Sequence, residues 1–219
     1  AIITGRPARQ ALALGGLDEV GAAIGAAGRE LYVFGQYGHE RWSSTSRRVI
    51  SPRPPQGLSR FLAELPRLLR QAGAGDAYVE EKGLGVAVHT RRMADPEEAQ
   101  RRLVAPLTEA ATAHGLLTEP GRHVVEVRAA GVDKGDAVRT LAAELDAGGF
   151  VFAGDDLGDV EAFAAVRELR AEGRPTLLVC SLSDEQSALK DGSDVLVAGP
   201  DGVLEFLRQL ASDAQSRRQ

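Results

Sequence analysis

Short apolar runs and amphipathic stretches alternate along most of this chain. The apolar runs at 1–3, 30–34, 150–153, 176–180 and 194–197 have the length of buried strands. Between them, residues 6–14, 16–26, 134–145, 159–172 and 200–211 repeat apolar positions at helical spacing. This alternation predicts an α/β fold, a parallel sheet with helices on both faces. The dipeptides GR, GD and GP fall where helices should start and stop.

The middle of the chain breaks that rhythm. A turn-rich stretch, SPRPPQG at 51–57, precedes a helical pattern, LSRFLAELPRLLRQAG. Then come two strands about a glycine-rich turn (AYVEEKGLGVAVHTRR), a long helix (DPEEAQRRLVAPLTEAATAHG) and another strand pair (GLLTEPGRHVVEVR). Helix, hairpin, helix, hairpin is the order of an α+β sandwich, with helices on one face of an antiparallel sheet. A second, smaller domain is therefore expected at 41–129, inserted into a core made of 1–40 and 130–219.

Composition narrows the class. A formal net charge of −5 gives no basic footprint for nucleic acid. The one cysteine, Cys180, excludes a disulfide framework and a cysteine metal cluster within one chain. It lies in the apolar run PTLLVC and reads as a small core residue. With no membrane-length apolar stretch and no signal-like segment, we expect a cytoplasmic protein with no membrane partner. The polar tail SDAQSRRQ is expected to fray.

Candidate chemistry gathers where strands end, which is where open α/β sheets bind ligands. In FAGDDLGDVEAF an apolar run stops at Gly154, and Asp155, Asp156 and Asp159 follow. Capping and the helix dipole account for one or two such acids. Three within five positions suggest a metal site, and Mg2+ favours carboxylates, waters and phosphate oxygens. In IITGRP, Thr4 ends a strand before a glycine and a helix N-terminus, a natural phosphate cradle that is also a common turn. In GVDKGDA, Lys134 stands just before a helix, where its charge opposes the dipole. Taken together the three are far more specific than any one of them.

A hydroxyl, a lysine and an acidic loop, in that order and each at a strand end, resemble the haloacid dehalogenase superfamily. The likeness goes further. GQYGHE (35–40), VEEKGLGVAVHTR (79–91), VEVRAAGVDKGDA (125–137) and GDDLGDVEAF (154–163) are similar to successive signatures of the trehalose-6-phosphate phosphatases. The resemblance implies a Rossmann-like core with an inserted mobile cap, and a Mg2+-dependent phosphatase releasing trehalose and phosphate through an aspartyl-phosphate. It implies that Thr4 hydrogen-bonds the transferring phosphoryl group and Lys134 neutralises its charge. Asp155 and Asp159 become metal ligands, with Asp156 in catalytic support. Its substrate is trehalose 6-phosphate, and it implies a functional link to a trehalose-phosphate synthase.

For the sugar, strand alternation puts Glu80 with Lys82 on one face, His89 with Arg91, and Glu126 with Arg128. Glu and Lys together offer acceptors and donors to a disaccharide, although an exposed polar sheet face has the same pattern. With the resemblance, Glu80, Lys82, Arg128, Arg91 and Arg6 form the expected substrate-binding set, Glu80 and Lys82 facing the acidic loop across a cleft. Two positions depart from the family's pattern: Thr90 where Tyr is frequent, and Gly158 where Thr is usual.

The larger departure concerns the nucleophile. In this superfamily it is the first aspartate of D-x-D-G-T, one strand–helix unit before the Thr4 motif, and no such motif occurs in the 219 residues. A βαβ unit takes ~30 residues, so the motif is expected upstream of Ala1. AIITGR also reads as the end of a buried strand, and we expect a fragment lacking its N-terminal strand. Two alternatives stand: a non-catalytic sugar-phosphate-binding module, and a phosphatase of another sugar phosphate. A Rossmann dehydrogenase is disfavoured, because no G-x-G-x-x-G follows a strand.

Overall fold

The structure, a computed structural model, describes residues 1–182 and 189–216. Its elements in chain order begin with β1 (Ile2–Ile3), α1 (Ala8–Gly15), α2 (Leu17–Ala26), β2 (Tyr32–Gly35) and β3 (Glu40–Ser43). Next are α3 (Gln56–Gln71), β4 (Tyr78–Glu81), β5 (Gly85–His89), α4 (Pro96–Ala113), β6 (Leu116–Gly121) and β7 (Val124–Ala129). The last are α5 (Lys134–Leu145), β8 (Phe150–Gly154), α6 (Val160–Ala171), β9 (Thr176–Ser181), β10 (Val195–Val197) and α7 (Gly199–Ser216). The described residues form two compact units, Ala1–Gly5 with Asp133–Gln219 and Arg6–Val132. The sequence places its boundaries at 40/41 and 129/130; the units divide at 5/6 and 132/133.

In the first unit, β8, β9 and β10 form a parallel sheet in the order β10–β9–β8. This is the α/β architecture the strand–helix alternation predicts. Phe152 and Leu178 are register partners, as are Gly154 and Cys180, so they share a face. That face carries the core with Val138 and Ala142 of α5 and Phe163, Val166 and Leu169 of α6. Phe152 meets Phe163 edge-on, ring centroids 5.8 Å apart, an arrangement aromatic quadrupoles favour. Cys180 is buried and free, as expected of a core residue. The alternate β8 position Val151 is 46% exposed, so β8 buries one face where a strand covered on both was expected. α7 runs to Ser216 rather than stopping near 211, because the polar end of the chain continues the helix. Residues 217–219 of the tail expected to fray lie outside the described residues.

In the second unit, β2 and β3 pair antiparallel, Val33 opposite Trp42, and α1 packs on both. The sequence predicts no strand at β3, because its residues ERWS give only a four-residue alternation. The rest is a four-stranded antiparallel sheet, β4–β5–β7–β6, with α3 and α4 on one face. Leu58, Phe61, Leu65, Leu68 and Leu69 make the buried stripe of α3 at helical spacing. They pack with Leu103 and Leu107 of α4 against Val86, Val88, Val125 and Val127. Asp95 caps α4, accepting the Glu98 N–H at 3.0 Å, with Pro96 in the first turn. No described helix is long and apolar enough to cross a membrane.

Candidate active site

The acidic loop is built by a strand end and a turn. β8 ends at Gly154, and a short 3-10 turn, Leu157–Asp159, leads into α6. Within it Asp159 folds back on the loop. Its Oδ2 accepts the N–H of Asp155 at 3.0 Å and that of Asp156 at 3.3 Å. A Cβ on residue 154 would stand 2.7 Å from that same oxygen, so only glycine leaves room for the fold-back.

Lys134 reaches the loop from the first turn of α5. Its Nζ donates to Asp159 Oδ1 at 2.7 Å and to Asp156 Oδ1 at 3.5 Å. Gly135 permits the approach: a Cβ there would lie 2.6 Å from the Glu161 carbonyl oxygen at the start of α6. Asp133 caps α5 and forms a reciprocal capping box with Asp136, which fixes the turn that aims the lysine. Lys134 and Asp159 are 6% and 4% exposed, so theirs is a buried ion pair.

Burial alone would lower the Lys134 pKa, but the charges of Asp159 and Asp156 and their hydrogen bonds reverse that and raise it. The ammonium therefore stays charged at neutral pH. The Asp156 carboxyl, though exposed on one side, is pushed up, first by partial desolvation and then by Asp159 and Asp155, against the pull of Lys134. One carboxylate oxygen from each of Asp155, Asp156 and Asp159 lies within 4.8 Å of the others.

The carboxylate donors gathered here are all oxygens, a set that fits Mg2+. The sequence pairs Asp155 with Asp159 as ligands and gives Asp156 a supporting part. In the structure Asp155 and Asp156 are the exposed acids. Asp159 is the buried one, with both oxygens engaged. Thr4 follows β1 in the same unit and is half-buried.

The remaining candidates belong to the second unit. Cross-strand register sets Glu80 opposite Ala87, Ala87 opposite Glu126, and Glu126 opposite Glu119. These residues share the face turned away from α3 and α4, with Arg128 two positions along β7. Lys82 forms an ion pair with Glu126. Glu80 meets His89 Nε2 at 3.0 Å. Arg128 donates from Nε to Glu119 at 2.8 Å and from Nη1 to the Val132 carbonyl at 2.9 Å.

Arg91 does not join them. β5 ends at His89, and Arg91 lies exposed in the following turn. The strand stops because Thr90 is fully buried, its N–H donating to His123 O at 2.8 Å and its hydroxyl to Pro96 O at 2.9 Å. Thr90 thus anchors the turn. Arg6 is exposed, with Gln10 Oε1 3.5 Å away.

Sequence reasoning leaves Glu126 out of the expected set and passes over Glu119 and Tyr37. The Tyr37 hydroxyl donates to Glu126 Oε2 at 3.1 Å, and its ring lies 4.5 Å from the Arg128 guanidinium. GQYGHE signalled a family likeness and carried no pattern pointing to a contact 89 residues away.

A family model described as trehalose-phosphatase matches residues 72–198. An uncharacterized glycosyl hydrolase of Mycobacterium tuberculosis is 32% identical over 167 residues, covering 73% of this chain and 12% of its own length. The trehalose-6-phosphate phosphatase of Escherichia coli is 35% identical over 95 residues, 42% of this chain and 35% of the relative. The chain therefore spans well under two thirds of these relatives. The C-terminal domain of the C. albicans trehalose-6-phosphate phosphatase superposes with a TM-score of 0.68 at 18% identity, covering 96% of this chain and 77% of that one. That likeness is one of fold.

Proposed function

Because the chain belongs to the trehalose-phosphatase family of the haloacid dehalogenase superfamily, we propose that it serves the Mg2+-dependent hydrolysis of trehalose 6-phosphate to trehalose and phosphate. The observation that carries this reading is the buried Lys134, locked by Asp159 beside two exposed carboxylates at a strand end. Asp155 and Asp156 are the residues to hold Mg2+, which when bound would neutralise charge on a phosphoryl oxygen. Asp159 has a different part: it fixes the Lys134 ammonium and the loop backbone. Lys134 then presents a pre-organised positive charge to the phosphoryl oxygens, and the Thr4 hydroxyl donates a hydrogen bond to the same group. Phosphoryl transfer needs little more than positioning and charge stabilisation from such groups.

The attacking carboxylate is assigned to a D-x-D-G-T aspartate, which would form the aspartyl-phosphate. No residue of this chain takes that part. Residues 41–129 act as the cap, whose Glu80, Lys82, Glu126 and Arg128 bind sugar hydroxyls. The substrate must come from a reaction that makes a trehalose phosphate ester, hence the link to a synthase. One free, buried cysteine suits the reducing cytoplasm.

A second reading is a sugar-phosphate-binding module without turnover, against which the three gathered acids argue. Phosphate release separates the two. The complete gene product is expected to release phosphate from trehalose 6-phosphate with Mg2+, to stop with a chelator, and to prefer this ester to glucose 6-phosphate. The 219-residue chain alone is expected to bind the ester without turnover. A complete gene product silent toward the ester would remove the enzyme reading, and a competent isolated chain would remove the assignment of the nucleophile.

A further inference from the structure

The turn Gln36–Gly38 after β2 holds two side-chain-bearing residues in left-handed backbone, Gln36 at φ 48° and Tyr37 at φ 61°. Such conformations are costly outside glycine and persist where the surroundings over-determine them. Here both side chains tie into the face of the β4–β7 sheet that carries Glu126 and Arg128. Gln36 is buried and donates from Nε2 to the Lys82 carbonyl at 2.7 Å. Its backbone N–H donates to the Arg6 carbonyl at 2.8 Å. Tyr37 donates its hydroxyl to Glu126 Oε2, while the Glu126 Oε1 pairs with Lys82. The Tyr37 ring lies under the Arg128 guanidinium, a cation–π contact.

Without this turn the face would be loosely held. Glu126 and Glu119 stand directly opposite each other across β6 and β7, and like charges so placed repel. Tyr37 gives one carboxylate a donor and braces the arginine that serves the other. Burial, then the charge of Glu126, pushes the phenol pKa well up, so the hydroxyl keeps its proton and remains a donor.

We infer that Tyr37 is a positioning residue for sugar recognition: its hydroxyl and ring set Glu126 and Arg128 so that their remaining acceptor and donor sites address the hydroxyls of a disaccharide. This rests on the sugar-binding role proposed above for that face. The tyrosine itself need not touch the sugar.

Calorimetric titration of trehalose and of trehalose 6-phosphate into the 219-residue chain tests it, comparing the natural sequence with Tyr37→Phe, Glu126→Gln and the double variant. Tyr37→Phe keeps the ring and is expected to melt with the natural chain. Its affinity for both sugars should fall about tenfold or more, the worth of a hydrogen bond to a charged group. The double variant should bind no worse than Glu126→Gln alone, because the tyrosine acts through that carboxylate. With 3-fluorotyrosine incorporated, the Tyr37 fluorine resonance, assigned by elimination with Tyr32→Phe and Tyr78→Phe, should shift on adding trehalose. That signal answers the question even if Tyr37→Phe fails to fold. Tyr37→Phe binding like the natural chain, additive losses in the double variant, or an unmoved resonance while the sugar binds would each overturn the inference and leave the sugar face intact. Failure of the natural chain to bind either sugar would overturn the sugar face, and this inference with it.

Discussion

Replacing Lys134 by Met removes the ammonium that Asp159 holds and leaves that carboxylate buried at 4% exposure without it. Breaking a buried pair by deleting one partner costs about 3–5 kcal/mol, because the remaining charge has lost its compensation. At about 1.4 kcal/mol per decade, that is roughly two to four orders of magnitude in the local opening equilibrium. The amides of Asp155 and Asp156 donate to Asp159, so their hydrogen exchange reads that opening directly. Lys134→Met should accelerate both by that factor, and Lys134→Met with Asp159→Asn should recover most of it, since asparagine keeps the acceptor and sheds the charge.

The pH dependence has a definite sign. Lys134 titrates above its ordinary 10.5 in the folded protein. Its contribution is therefore fully present below that value and fades as pH rises through the folded pKa. The gap between natural and variant chains should stay flat through neutrality and narrow only in strong alkali. Less than about a tenfold change in exchange, the scale of a surface pair, would refute the reasoning. So would a gap that already narrows around neutral pH.

Two further outcomes follow from the same loop. Asp156→Asn should leave melting unchanged or raise it without metal, since the raised pKa means that its charged form works against the fold; this gain should vanish as pH falls below the ordinary 3.8, and Mg2+ should stabilise the variant less than the natural chain. Gly154→Ala should cost about 1–3 kcal/mol in denaturant unfolding, the usual price of overpacking, because its Cβ would stand 2.7 Å from Asp159 Oδ2.

Much of this is legible in the sequence. Lys134–Leu145 was delimited to the residue, because a capping box opens it and its apolar positions keep helical spacing. The helix–hairpin–helix–hairpin order of the middle was plain, since α3 and β4–β7 each keep one clear period. Proximity of Lys134 to the acids followed from strand-end placement. The division of labour among those acids did not. Asp159 is set apart by a chain reversal that Gly154 permits, and no spacing rule separates a fold-back from a free turn. Arg91 was misplaced on a strand because period-2 alternation gives no sign that Thr90 will be buried and end it. Tyr37 was invisible for a simpler reason: its partners lie in another sheet, and aromatic-to-carboxylate contacts leave no periodic trace.

Along β7 the core and the charged face are interleaved residue by residue: Val125 and Val127 are wholly buried, and Glu126 and Arg128 alternate with them. This constrains how the protein can evolve. An insertion or deletion of one residue within the strand would send the valines to solvent and the charges into the core between sheet and helices. On the sugar-binding reading proposed above, taste for a new sugar must arrive by substitution at fixed positions, or by change in the turns beyond the strand ends, such as the one that carries Tyr37. Length variation among homologues should accordingly gather in those turns and spare the strands.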